Sequence, residues 1–150
     1  LTVSQAAASG ETDFTALFDP DFAKKLQEMG HISDAENITS ADMEKIAAIT
    51  ELDVSGTYEN RGTLTSLQGI EYFESLTELY CLSNQLTSLD VSANTALTFL
   101  ECEDNPGDGV STFPVTAWFD NDTKPDNLEI YQEQWTYGGK TITIEFQKAE

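Results

Sequence analysis

The side chains with the most chemistry in this sequence are carboxylates, several of them on alternate residues: Glu51 and Asp53, Glu78, then Glu101 and Glu103. If those segments lie side by side as strands, Glu78 comes next to Glu51 and Asp53 comes near Glu101. Carboxyl pairs at about 5 Å are the machinery of retaining glycosidases, so acid-catalysed glycan hydrolysis is a minor reading. A ladder of strands, however, offers no evident water-excluding pocket, and no motif points to a reaction class. The one histidine, His31, has no nucleophile placed to meet it. Cys81 and Cys102 stand 21 positions apart without the further ligands that a zinc site requires. On neighbouring strands their Cα atoms lie about 4.8 Å apart with parallel Cβ vectors, which strains a disulfide. Buried free thiols are expected instead. Acidic loops at residues 104–108 and 120–122 offer carboxylates to calcium, but a solvated loop is the simpler expectation. The chain is thus expected to be no enzyme, with no catalytic residue, metal or cofactor.

The elements that position these residues are set by a repeat. Leu76, Leu79, Cys81 and Asn84 recur 21 residues later as Leu97, Leu100, Cys102 and Asn105. Both copies fit L-x-x-L-x-C-x-x-N, the signature of a leucine-rich repeat. Leu79 and Cys81 alternate with Glu78, Tyr80 and Leu82 at a strand's period of two, so one set faces a core and the other faces out. Asn84 closes the strand, its amide able to satisfy backbone groups left unpaired at the bend. Leu86, Leu89 and Val91 return to the core. A degenerate third copy runs from Ile49 through Leu52 and Val54 to Thr57, at an offset of 27, with residues 58–63 inserted after its strand. One unit cannot bury its own face, so the copies must stack.

Residues 49–56 (ITELDVSG), 67–73 (LQGIEYF) and 84–94 (NQLTSLDVSAN) resemble the recurring wording of bacterial internalin-like leucine-rich-repeat proteins, secreted or surface-attached. The resemblance covers residues 14–105 well and the remainder loosely. It implies an α/β fold: a short leucine-rich-repeat solenoid with a parallel β ladder, a helical N-terminal cap and a β-hairpin C-terminal cap. It also implies an exported bacterial protein, extracellular or on the cell surface, with a lipid anchor before residue 1 as one mode of attachment. Some relatives carry a calcium-loop-like segment between the cap helices, but residues 30–37 here (GHISDAEN) lack the spacing of such a loop.

The expected order is a flexible leader at 1–13, a helical cap at 14–48, repeats at 49–105 and a β cap at 106–150, with 14–150 forming one structural domain. In the first cap, Asp19 is a helix N-cap and Pro20 the first helical residue. Phe22, Leu26 and Met29 form the apolar face, and Gly30 is the stop. Thr39 and Asp42 make a second start that approximates a capping box, stapled by Ile38 and Met43. Residues 113–119 read as a strand, Leu128 and Ile130 as a further strand of the repeat series. Residues 135–146 read as a hairpin about Gly138 and Gly139 that seals the last edge of the ladder. Trp118 and Trp135 are expected in the core of this cap.

With 27 acidic and 7 basic residues among 150, the formal net charge is −20. That repels nucleic acid and anionic membrane and leaves cationic or neutral partners. No run of 18 apolar residues exists, so no membrane insertion by a spanning helix is expected. No signal peptide is visible after Leu1, and a mature or trimmed chain is the expectation.

Stacked strands present their outward residues on one concave sheet. That set is Glu51, Asp53, Glu78, Tyr80, Leu82, Phe99, Glu101 and Glu103, with Tyr80 beside Asp53 and Glu101, and Phe99 beside Glu78. Tyr80, Leu82 and Phe99 are apolar anchors within a carboxylate rim. The expected function is non-enzymatic recognition of a protein or a carbohydrate through this face by a monomer. A structural or self-associating surface module is the alternative.

Overall fold

The computed structural model describes residues 12–150. The leader assigned to residues 1–13 lies outside the described residues apart from Thr12 and Asp13.

The N-terminal cap is two helices, α1 (Pro20–Glu28) and α2 (Ser40–Ala48). The Asp19 carboxylate accepts from the amides of Asp21 and Phe22 at 2.9 and 3.0 Å, and Pro20 follows at a position whose missing N–H costs nothing. Phe22, Ala23 and Leu26 are buried. Met29, expected on this face, is 37% exposed because it is the C-cap residue, past the last helical turn, and Ile32 reaches the core instead. Thr39 and Asp42 form the full capping box, each side chain accepting from the other's amide, at 3.2 and 3.0 Å.

Eight strands follow: β1 (Glu51–Asp53), β2 (Glu78–Tyr80), β3 (Leu89–Asp90), β4 (Phe99–Glu101), β5 (Thr112–Ala117), β6 (Glu129–Ile130), β7 (Gln134–Tyr137) and β8 (Lys140–Lys148). The ladder is a parallel sheet in the order β1-β2-β4-β6. Leu52, Leu79 and Leu100 stand in register on its inner side and are fully buried. Each contributes roughly 1.5–3 kcal/mol by leaving water.

Strands this short need another tether, and buried asparagines supply it. Asn105 Nδ2 donates to the carbonyls of Cys81 (3.1 Å), Cys102 (2.9 Å) and Glu103 (3.3 Å), while its Oδ1 accepts from the amides of Asn84 (3.1 Å) and Leu86 (3.0 Å). Asn84 does the same one turn earlier, donating to Val54 O at 2.9 Å and to the carbonyls of Cys81 and Leu82. Each side chain therefore closes its own bend and clamps the preceding turn of the solenoid. Asn94, which the repeat pattern did not single out, is fully buried and donates to Ile70 O and Phe73 O at 3.0 and 3.2 Å.

A second sheet has the order β3-β5-β8-β7. The hairpin β7–β8 turns at Gly138 and Gly139, both at positive φ, and Trp135 pairs with Ile142. This hairpin does not close the free edge of the ladder as the sequence suggested. β6 pairs only with β4, whereas β8 lies parallel to β5 over six residue pairs. The six-residue β5 offers a far longer edge than the two-residue β6. Pairing there also buries Ile142, Ile144 and Phe146 in one continuous core with Phe113, Phe119 and Trp135. Trp135 Nε1 donates to Asn105 O at 2.9 Å, so the cap is bolted onto the last asparagine turn. Among the described residues no helix is long and apolar enough to cross a membrane.

Candidate recognition face

The outward side of the ladder takes its register directly from the strands. Glu51 aligns with Glu78 and Phe99, and Asp53 aligns with Tyr80 and Glu101. Tyr80 and Phe99 sit diagonally on β2 and β4 with ring centroids 5.5 Å apart, both half-buried. Tyr80 Oη donates to Glu78 Oε1 at 2.6 Å. That hydrogen bond, aided by burial and the carboxylates of Glu78, Glu51 and Glu101, pushes the phenol up to about 12. The ring is consequently a neutral donor at any physiological pH, held by Glu78 on one side and packed on Phe99.

The carboxylates are distributed differently from the expected pairs. Asp53 and Glu101 are not neighbours, because β2 lies between them and Tyr80 occupies the intervening position. Glu51 and Glu78 do align, but the Glu78 carboxylate already accepts the Tyr80 hydroxyl. The carboxylate that bears on Glu103 is instead Glu101, two residues earlier on the same segment. Glu103 is only 9% exposed, not the open rim residue the alternation suggested, and among the described residues its Oε1 meets no donor. Burial, reinforced by the neighbouring carboxylates of Glu101 and Asp104, raises its carboxyl to about 7.

Because this pKa lies above the ordinary 4.5, the folded state holds a proton that the unfolded chain releases. The resulting stability is fully present below about pH 4.5 and is lost as pH rises through about 7. Thermal unfolding of Glu103→Gln is accordingly expected to gain on the wild type between pH 5 and 8, conditions set by that window. Parallel curves for the two proteins would show that Glu103 does not carry this linkage.

A cationic clamp that no sequence pattern signalled ties the inserted segment to the last repeat. Arg61, in the inserted segment, forms a two-pronged bond to Asp104, with Nη2 at 2.7 Å from Oδ1 and Nε at 3.0 Å from Oδ2. Its guanidinium lies 5.0 Å from the ring of Tyr58 and 4.7 Å from that of Tyr137. Ser83 also donates to Asp104, at 2.8 Å. Asp104 takes a left-handed turn with φ 61, as Ser83 does one repeat earlier with φ 56. The residue before each asparagine therefore bends the chain out of the ladder.

The acidic loops are engaged locally. Asp108 accepts from the amides of Val110, Ser111 and Thr112, and Asp120 from Asp122 and the Thr123 hydroxyl. Among the described residues no group of three or more His, Cys, Asp or Glu side chains is arranged to hold a metal ion. Cys81 and Cys102 are free and fully buried, and burial holds both thiols well above their usual range. Neither is expected to react with a thiol reagent until the protein is denatured, when two equivalents should be consumed. Fast labelling of the native protein would contradict the burial.

A parallel ladder with asparagine-closed turns, capped by helices at one end and a hairpin sheet at the other, defines a short leucine-rich-repeat solenoid fold. The architecture is similar to that of internalin C2 from Listeria monocytogenes, whose crystal structure superposes with a TM-score of 0.51 over 98% of this chain and 74% of that one, at 22% identity. The fold is internalin-like. No protein-family model matches the chain, and neither does any curated protein sequence.

Proposed function

We propose that this is a non-enzymatic recognition module of an exported protein, binding a protein or glycan partner through the concave face of the ladder. The observation that carries the reading is the Tyr80–Phe99 pair. Two aromatic rings are held half-buried on an otherwise acidic sheet, where a merely solvated face needs neither. Tyr80 presents its ring rigidly because Glu78 fixes the hydroxyl. Rigid aromatics lose little conformational entropy on binding. Asp53 and Glu101 on either side of Tyr80, with Glu51 beyond Glu78, supply the carboxylate rim for a partner of complementary charge.

Catalysis has less support. The Glu51–Glu78 alignment lies on an open sheet, and the Glu78 oxygen is already committed to Tyr80. A self-associating surface module would bury Tyr80 and Phe99 against a second copy.

The test is a binding screen of the domain against arrays of glycans and of extracellular proteins, with Tyr80→Ala/Phe99→Ala as the paired control. The reading expects a partner that the double variant loses at an unchanged unfolding midpoint. A partner that the double variant retains would move the site to the caps or loops. Dimerisation abolished by Tyr80→Glu would replace the reading with self-association.

A further inference from the structure

Beyond Leu82 the concave face runs into a groove of about 480 Å³. It is lined by Tyr58 of the inserted segment, Leu82 and Glu103 just past the ends of β2 and β4, and Trp135 and Thr136 of the hairpin. Most of its exposed surface is apolar, with the acids Glu103 and Asp104 beside the uncharged polar Ser83 and Gln132. Glu103 is about nine-tenths buried, and no donor among the described residues reaches its Oε1. Its neighbours Glu101 and Asp104 are acids, and the cation close by, Arg61, is already held in both prongs by Asp104. A buried carboxyl oxygen without a partner is costly, and among the described residues no cation pairs with this one. Glu103 lines the groove, so a donor delivered there meets its carboxyl group.

We propose that this groove receives a lysine side chain of a protein partner, its aliphatic stem against Leu82 and Trp135 and its ammonium on Glu103. The inference rests on the recognition reading above, since the groove continues that face beyond Leu82. Lysine suits the site better than arginine, because a compact ammonium with three rotatable donors can serve adjacent carboxyls that offer no planar fork. A sugar suits it less, because Trp135 is 8% exposed and presents no open ring face for stacking. The net charge of −20 steers basic protein segments toward the molecule.

The test is a titration of the isotope-labelled domain with the peptide acetyl-Ala-Ala-Lys-Ala-Ala-amide and with its norleucine counterpart, followed by amide chemical shifts. The lysine peptide is expected to shift Leu82, Glu103 and Thr136 saturably with millimolar affinity, the norleucine peptide about tenfold more weakly. Glu103→Gln should weaken lysine binding by a similar factor. Thr136→Trp, which fills the groove from an exposed position and leaves every carboxylate in place, should do the same, separating the groove from diffuse attraction to an acidic protein. Equal binding of both peptides, shifts spread over the whole acidic surface, or lysine binding unchanged in the two variants would overturn the inference. If the lysine peptide fails while the partner from the screen is lost on Tyr80→Ala/Phe99→Ala, the groove inference alone falls. If that partner is also retained by the aromatic variant, the recognition reading falls with it.

Discussion

Replacing Asn105 with alanine is expected to lower the stability of the domain by about 3 kcal/mol, among the largest effects of any single polar substitution in it. The side chain is fully buried and makes five hydrogen bonds, three as donor to the carbonyls of Cys81, Cys102 and Glu103 and two as acceptor from the amides of Asn84 and Leu86. Alanine orphans the amides of Asn84 and Leu86 and the Cys102 carbonyl, while the carbonyls of Cys81 and Glu103 keep Asn84 Nδ2 and the Ser83 amide; each buried orphan costs about 1–3 kcal/mol before any relaxation. The loss extends beyond one turn, since Asn105 spans two successive repeats and its own carbonyl receives the Trp135 indole at 2.9 Å. Urea unfolding should show a lower midpoint at unchanged slope. Asn105→Asp should do no better, because it keeps an acceptor, loses both donors and places a charge among carbonyl oxygens. A midpoint within experimental scatter of the wild type would mean that the asparagine turns do not hold the solenoid together.

Gly62→Ala is expected to cost about 2–3 kcal/mol although the substitution adds a single methyl group. A Cβ at this position would sit 2.1 Å from Asn84 Oδ1 and 3.0 Å from its Cγ. Either the inserted segment lifts away or Asn84 abandons its carbonyl partners. Gly56 is equally confined, since a Cβ there would meet the Gly62 nitrogen at 2.3 Å and Ser83 O at 2.4 Å. The insertion is thus packed against the asparagine spine as closely as backbone permits. The diagnostic is a double-mutant cycle: in an Asn84→Ala background the added methyl should cost far less, because the atom it strikes is gone. Strict additivity of the two free energies would show that the clash is not with Asn84.

How much of this was legible in sequence depends on whether a feature repeats. The 21-residue period from Leu76 to Asn105 carried the ladder, its register and the identity of the outward face, because stacking translates sequence period directly into strand alignment. The capping box at Thr39 and Asp42 was equally readable, being local. What was not legible joins distant, unrepeated positions. Arg61 meets Asp104 across 43 residues, and nothing in an inserted loop announces its partner. Glu103 looked like an exposed rim residue because strand alternation was carried one step too far. The chain leaves the ladder at Asp104, and Glu103 faces the inserted loop and the hairpin across the groove. The destination of the hairpin was hidden because β3, which founds the second sheet, is two residues long and has no period of its own. Asp53 and Glu101 seemed a carboxylate pair only until the order β1-β2-β4 put Tyr80 between them.

The most direct measurement is the affinity of the wild-type domain and of Tyr80→Ala/Phe99→Ala for the partner that the screen returns, alongside the thermal midpoint of each. Recognition centred on the aromatic pair predicts at least about a hundredfold weaker binding by the double variant, roughly 2.7 kcal/mol, the scale of an interface hot spot, with the midpoint unchanged. Binding within about twofold of wild type by a folded double variant would contradict it.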